Sequence, residues 1–398
     1  MTKQIQDAYI VAAVRTPIGK ARGMFKNTRP DDLLAHVLKG VLAKAPTIDP
    51  KRVGDVIVGC AMPEAEQGMN VARIGLLLAG LPNSVPGVTV NRFCASGLQA
   101  IAFAADRIRT GQDDILIAGG TETMSMIPMG GHNMAINHAI FANEENMGIA
   151  YGMGLTAEKV ALRWKIGREA QDTFALESHR RAVTATQGGE FKDEMLPYAI
   201  DDSVPDLSSG KIVHHQRSAS ADEGPRPDSS LEALAKLRPV FAAKGSVTAG
   251  NSSQMSDAAG AVLLVSENVL RELNLTPLAR FVGYAVAGVP PEIMGIGPAA
   301  AIPKVLSGTG LALADMDWIE LNEAFAAQSL AVMHELELDP AKVNPLGGAI
   351  ALGHPLGATG ALRAATLVHG LRRRKQRYGM VTMCIGTGMG AAGIFESL

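Results

Sequence analysis

Apolar runs alternate with amphipathic stretches through the first 120 residues. Tyr9–Val14 reads as a buried strand closed by the turn Arg15-Thr16-Pro17-Ile18-Gly19. Asp31–Ala43 and Asn70–Ala79 read as amphipathic helices, and Val53–Val58 and Val85–Val90 as further strands. Leu98, Ile101, Ala102, Ala105 and Ile108 recur at helical spacing, so the stretch Asn91-Arg92-Phe93-Cys94 forms a strand-to-helix turn ahead of a helix ending at Arg109. An apolar strand follows at Ile115–Ala118 and ends in Gly119-Gly120. This alternation predicts an α/β fold with a mainly parallel sheet covered on both faces.

The pattern breaks after Gly120. Met-rich loops, helices over Leu155–Trp164 and Arg168–Thr186, and a Pro/Ser/Asp-rich stretch from Asp201 to Ser230 read as an excursion from the sheet. The chain returns with a strand at Ala261–Val265 and a short helix at Glu267–Leu273. The last third then repeats the first. Gly54-Asp55-Val56-Ile57-Val58 aligns with Met316-Asp317-Trp318-Ile319-Glu320 at an offset of 317 − 55 = 262, and Ile115-Leu116-Ile117-Ala118 with Val381-Thr382-Met383-Cys384 at 381 − 115 = 266. Near-equal offsets in separate elements predict two copies of one β/α unit. The expected division is residues 1–120 with 250–274 as one half, 121–249 as an inserted loop domain, and 275–398 as the second half.

Composition narrows the function. A net charge of −2 argues against nucleic acid or a membrane surface as partner. Three scattered cysteines, Cys60, Cys94 and Cys384, make no disulfide framework and point to a reducing compartment. Met1–Ile10 has neither a signal-peptide nor an Arg-rich transit pattern, and no apolar run approaches the roughly 18 residues of a membrane span, so a cytoplasmic protein is expected.

Cys94 is the first candidate for chemistry. Unpaired N–H groups and partial positive charge at a helix N-terminus favour a thiolate, although a free cysteine also serves as simple packing. In the second half a glycine-rich turn carries His354, either a general base or a turn residue before Pro355. Cys384 precedes Gly386-Thr387-Gly388, which is either an oxyanion-holding loop or a tight turn beside a packing cysteine. Asn322 ends an apolar strand, as a helix N-cap or as a carboxamide that polarises a carbonyl. No spacing suggests a metal.

Taken together, Asn91-Arg92-Phe93-Cys94-Ala95-Ser96-Gly97, Asn322-Glu323-Ala324-Phe325, Gly353-His354-Pro355-Leu356-Gly357 and Cys384-Ile385-Gly386-Thr387-Gly388-Met389-Gly390 resemble, in order, the motifs of the thiolase family. The resemblance implies a five-layered α-β-α-β-α fold of two similar halves with an inserted loop domain, assembled as a homodimer or homotetramer. It implies that Cys94 is the nucleophile, His354 the base, and Cys384 the acid that protonates an acetyl-CoA enolate. Asn322, through a water, and His354 would hold one oxyanion, and the N–H groups of Cys94 and Gly386 the other. Coenzyme A would be a co-substrate, with no permanently bound cofactor, along Met153, Arg226, Ala249, Ser253 and Phe325. Some family members carry a histidine where this chain has Gly152.

The expected reaction is thiolytic cleavage of 3-ketoacyl-CoA in fatty acid β-oxidation, with a β-oxidation multienzyme as a candidate partner. The alternatives are an acetyl-CoA C-acetyltransferase and a non-catalytic CoA- or lipid-binding protein on the same fold. A ketosynthase fits less well, since those enzymes pair their cysteine with two histidines.

Overall fold

The computed structural model describes residues 5–398; Met1–Gln4, where the reading for a targeting segment begins, lie outside the described residues. The first half runs β1 (Ala8–Arg15), β2 (Gly19–Lys20), α1 (Pro30–Ala43), β3 (Asp55–Gly59), α2 (Val71–Leu78), β4 (Gly87–Val90), α3 (Ser96–Arg109) and β5 (Ile115–Thr123). Local sequence accounts for these starts. Pro30 opens α1 with Asp31 and Asp32 in its first turn, and the Asn70 side chain caps α2 by accepting from the Arg73 N–H.

The excursion contributes α4 (Met153–Arg163), α5 (Arg168–Gln187), β6 (Tyr198–Asp206), β7 (Lys211–Ala219) and α6 (Leu231–Ala235). Strands β6 and β7 form a separate two-stranded antiparallel hairpin inside the stretch read as irregular. Most of β6 is exposed or half-exposed, so it carries little of the apolar alternation that marks a strand.

The chain then re-enters as β8 (Ser256–Ser266) and α7 (Glu267–Glu272). The second half follows with β9 (Ala279–Gly288), α8 (Gly297–Thr309), β10 (Met316–Leu321), α9 (Ala326–Glu335), α10 (Ala349–Leu352), α11 (Thr359–Arg374), β11 (Tyr378–Ile385) and β12 (Met389–Ser397). The strands join in the order β10-β11-β12-β9-β1-β8-β5-β3-β4, with β2 paired to β8. Two residue pairs between β1 and β9, Tyr9 with Arg280 and Ile10 with Ala279, connect the halves. Each half uses one order: β3-β5-β8-β1 in the first matches β10-β11-β12-β9 in the second.

The sheet is not mainly parallel. β3 is parallel to β4 and β5, and β10 to β11, but β8 runs antiparallel between β5 and β1, as β12 does between β11 and β9. The excursion leaves from the C-terminal end of β5 and returns beside it, and a tight turn joins β11 to β12, so neither connection crosses over to make a parallel pair.

Burial follows the period-two rule of a sheet covered on both faces. Val56 and Val58 face outward onto Leu33, Leu34 and Leu76 of α1 and α2, whereas Ile57 faces the inner core with Leu98 and Ile101 of α3. In the second half Ile302, Val305 and Val332 of α8 and α9 cover Ile319 and Leu321. Helices α3 and α11 fill the middle layer. The layers are therefore α1/α2, the first-half strands, α3/α11, the second-half strands, and α8/α9.

The two central helices meet through glycines. A Cβ on Gly97 would lie 2.8 Å from the Ala361 nitrogen, and one on Gly360 would lie 2.1 Å from that of Leu98. These contacts are reciprocal at one offset, since 360 − 97 and 361 − 98 both equal 263. An approximate two-fold axis thus passes between α3 and α11.

Candidate active site

Between β4 and α3 the chain makes one tight helical turn, Phe93–Ala95, with Phe93 held at φ 44°. A left-handed aromatic residue costs about 1–3 kcal/mol and needs support from its surroundings. The Ser96 hydroxyl supplies it, accepting from the Arg92 N–H at 2.8 Å and donating to the Phe93 carbonyl at 2.7 Å. The turn leaves Cys94 only 8% exposed, its sulfur accepting hydrogen bonds from the N–H groups of Gly386 and of Cys94 itself.

Those bonds do not make a resting thiolate. Burial outweighs them and pushes the Cys94 thiol up to about 11, with the Glu122 carboxylate acting in the same direction. The thiolate expected from the helix terminus is therefore not the resting form, because desolvation outweighs the N–H groups.

His354 follows Gly353, which sits at φ 106° where no side chain fits easily. Its Nδ1 lies 2.7 Å from the Thr359 hydroxyl and its Nε2 lies 3.3 Å from Asn322 Nδ2. With Asn322 donating, Nε2 carries the lone pair and Nδ1 the proton. Burial, followed by the Arg363 charge, pushes the ring down to about 3, so it is neutral and able to accept a proton.

Asn322 is not a helix cap, because α9 begins only at Ala326. Its backbone N–H donates to Thr382 of β11, and its buried Oδ1 has no protein partner among the described residues. Cys384 is fully buried at the end of β11. Burial and the neighbouring Cys94 sulfur hold its thiol well above the usual range, so it keeps its proton.

Gly386 opens the β11–β12 turn, where Thr387 and Gly388 take φ 65° and 89°. A Cβ on Gly386 would lie 3.7 Å from Met153 Sδ and 3.8 Å from the Phe93 ring. Met153, Phe325 and Cys384 share one apolar cluster, and Phe325 stacks edge-on against Phe241 at 6.0 Å. Ser253 donates from its backbone to Ala324 beside that cluster. Ala249 and Arg226 are exposed, and the Arg226 N–H donates to His179.

The structure therefore gathers Cys94, Cys384, Gly386, Met153 and Phe325 around one centre, with the His354–Asn322 pair beside β11, and leaves Arg226 and Ala249 at the surface. Sequence reasoning missed Thr359, Glu122 and Arg363. A hydroxyl opening the helix five residues after His354 was the available signal for Thr359. A cleft of about 600 Å³ lined by Phe174, Leu330, Met333 and Glu323 reaches none of the four candidate catalytic side chains. No group of three or more His, Cys, Asp or Glu among the described residues is placed to hold a metal.

Two family descriptions cover nearly the whole chain: thiolase, N-terminal domain, at residues 8–268 and thiolase, C-terminal domain, at residues 275–397. The chain belongs to the thiolase family. It is 49% identical over 394 residues to a 3-ketoacyl-CoA thiolase of Bacillus subtilis, covering 98% of this chain and 100% of the relative. The acetyl-CoA acetyltransferase of Bacillus anthracis superposes with a TM-score of 0.89 at 40% identity and full coverage of both chains. The dimeric peroxisomal thiolase of Saccharomyces cerevisiae superposes at 0.88 with 43% identity, covering 99% of this chain and 98% of its own. The five-layered fold and the family resemblance of the motifs both hold in this thiolase.

Proposed function

We propose that this thiolase cleaves 3-ketoacyl-CoA with coenzyme A, releasing acetyl-CoA and a shortened acyl-CoA. The observation that carries the reading is the Cys94 sulfur held by the Gly386 N–H with the protonated Cys384 thiol as neighbour. As the Cys94 sulfur attacks C3 of the ketone, its proton passes to neutral His354. The C2–C3 bond then breaks, its electron pair moves into the thioester enolate, and Cys384 protonates C2. Acetyl-CoA leaves and the acyl group stays on Cys94 as a thioester.

Before the second half-reaction the proton held by His354 restores the Cys384 thiol, and His354, neutral again, then takes the proton of the incoming coenzyme A thiol. The new thiolate attacks the acyl-enzyme, and Cys94 leaves with a proton returned from His354. The Gly386 and Cys94 N–H groups receive the oxyanion formed at the carbon bonded to Cys94, a contribution of about 3–4 kcal/mol per donor in comparable sites. Asn322 Oδ1 is free to hold a water for the other oxyanion, beside His354.

Coenzyme A is a transient co-substrate in this reading, its pantetheine arm against Met153, Ser253, Ala249 and Phe325 and its nucleotide near Arg226. A homodimer is the proposed assembly, supported by the dimeric yeast relative and by the half-exposed edge strand β4. A homotetramer is the alternative assembly, and a β-oxidation partner and a cytoplasmic location belong to the same proposal. Acetyl-CoA C-acetyltransferase activity is the alternative, a second reading that is less supported because the Bacillus anthracis enzyme is 40% identical against 49% for the 3-ketoacyl-CoA thiolase.

Intact mass after incubation with a long-chain 3-ketoacyl-CoA and no free coenzyme A, with peptide mapping, tests these readings. A long acyl adduct on Cys94, absent from Cys94→Ser, is expected. An acetyl adduct formed only from acetoacetyl-CoA or acetyl-CoA supports the second reading, and no adduct supports a non-catalytic binding protein.

A further inference from the structure

The two-fold axis between α3 and α11 predicts a second, mirror copy of the candidate site. At the helix offset of 263, Cys94 maps to Gly357, Asn91 to His354, Ser96 to Thr359 and Phe93 to Leu356. Along the strands, Cys60 maps to Asn322 at an offset of 262, and Ala118, Gly120 and Glu122 map to Cys384, Gly386 and Gly388 at an offset of 266. The mirror position therefore lacks a nucleophile and a base. Its backbone cradle survives. Leu356–Ala358 makes the same single tight turn ahead of α11 that Phe93–Ala95 makes ahead of α3.

That cradle is occupied by a side chain of this chain. The Glu122 carboxylate is fully buried and accepts the Gly357 N–H at 2.7 Å, the mirror counterpart of the Cys94 N–H. It also accepts the Ala61 N–H at 2.7 Å, the Met62 N–H at 3.2 Å and the Gln67 side-chain amide, with the Cys60 thiol at 3.9 Å. Four of these donors belong to the loop after β3 and its neighbouring turn, while Gly357 belongs to the loop carrying His354. No arginine or lysine among the described residues pairs with the carboxylate, and the donors that reach it there are all neutral.

We propose that Glu122 is the built-in anion of a vestigial second site, and that by binding the Gly357 N–H across the interface it fixes the His354 loop against the half that carries Cys94. Glu122 is a positioning residue, acting through Gly357 and not by touching substrate. This inference rests on the reading of Cys94 and His354 as nucleophile and base.

Glu122→Gln tests it sharply. The substitution keeps the shape but turns an NH2 toward the N–H donors on one side, and Gln67 cannot answer by flipping because its other contacts, to the Met62 carbonyl and the Thr123 N–H, require its present orientation. Expected is a 10- to 100-fold fall in kcat for thiolysis with the KM for coenzyme A within two-fold, and partial rescue by Glu122→Asp. Cys94 alkylation should show the opposite sign. The Glu122 carboxylate raises the Cys94 thiol and Cys384 lies beside it, so removing the Glu122 charge moves half-maximal alkylation to lower pH. Loosening that exposes Cys94 would also move alkylation to lower pH, so the unchanged KM for coenzyme A and the rescue by Glu122→Asp are the readouts that separate positioning from a general loss of structure.

A folded Glu122→Gln enzyme with kcat within two-fold of the parent and a superimposable alkylation profile overturns the proposal. Should that variant not fold, Gln67→Met leaves the carboxylate and its three backbone donors in place. A roughly three-fold fall in its kcat supports the proposal and a parental value overturns it. Absence of an acyl adduct on Cys94 in the parent enzyme overturns the site assignment itself, whereas a silent Glu122→Gln overturns only the positioning role.

Discussion

The two halves of the molecule have the same strand order, the same single turn before a central helix and the same glycine at the helix contact, yet opposite contents at the loop. In the first half the turn presents a sulfur to the Gly386 N–H of the second. In the second half the turn presents Gly357 to a carboxylate of the first. Duplication therefore supplied two equal scaffolds, and one became reactive while its mirror became an internal fastening. The lesson is that backbone donors are inherited with the fold, whereas chemistry depends on which side chain meets them.

Cys384 is where this contrast breaks most severely, because its mirror counterpart Ala118 has no proton to give. Cys384→Ala should lower carbon–carbon cleavage by about 10³-fold, on the scale of general acid catalysis. Exchange of a labelled coenzyme A with a saturated acyl-CoA should survive, because that half-reaction needs no proton at C2. Equal loss of both would make Cys384 a packing residue.

The glycine contact sharpens the comparison next. Gly360→Ala puts a Cβ 2.1 Å from the Leu98 backbone, and overpacking of that kind typically costs about 1–3 kcal/mol, seen as a lower denaturant midpoint. Gly152 is the control, since a Cβ there meets nothing within 4 Å and Gly152→Ala should move the midpoint far less. Similar losses in both would mean that α3 and α11 do not set the spacing between the halves.

At neutral pH the smallest effect is that of the His354 ring, which grows only on acidification. His354 is held near 3 when folded against about 6.5 unfolded, so the unfolded chain binds its proton first as the medium is acidified. Its contribution to stability is whole above pH 6.5 and declines by about 1.4 kcal/mol per pH unit toward pH 3. His354→Asn should therefore show a shallower acid decline over that window in urea titrations. Parallel curves would place the ring in a less buried setting.

Much of this was legible in the sequence, for identifiable reasons. The repeat, the excursion and the motif loops appear because apolar strands and glycine turns leave periodic traces. Sheet direction did not, since β8 reads as an apolar run whichever way it lies beside β5. The β6–β7 hairpin escaped because its exposed faces carry little alternation. At the site, Cys94, His354, Cys384 and Asn322 stood out as reactive types in small-residue turns. Glu122 did not, because its role depends on three distant segments that meet only when the halves close.

Strand β8 has a consequence for synthesis on the ribosome. It lies between β1 and β5, and 256 − 123 = 133 residues separate its start from the end of β5. At about 5–20 residues per second, roughly 7–27 s pass before the missing strand is made. During that interval β1 and β5 each present an open apolar edge, the hazard that chaperones shield. The nascent chain is most exposed to self-association after its first domain looks complete by length and before the strand that closes it exists.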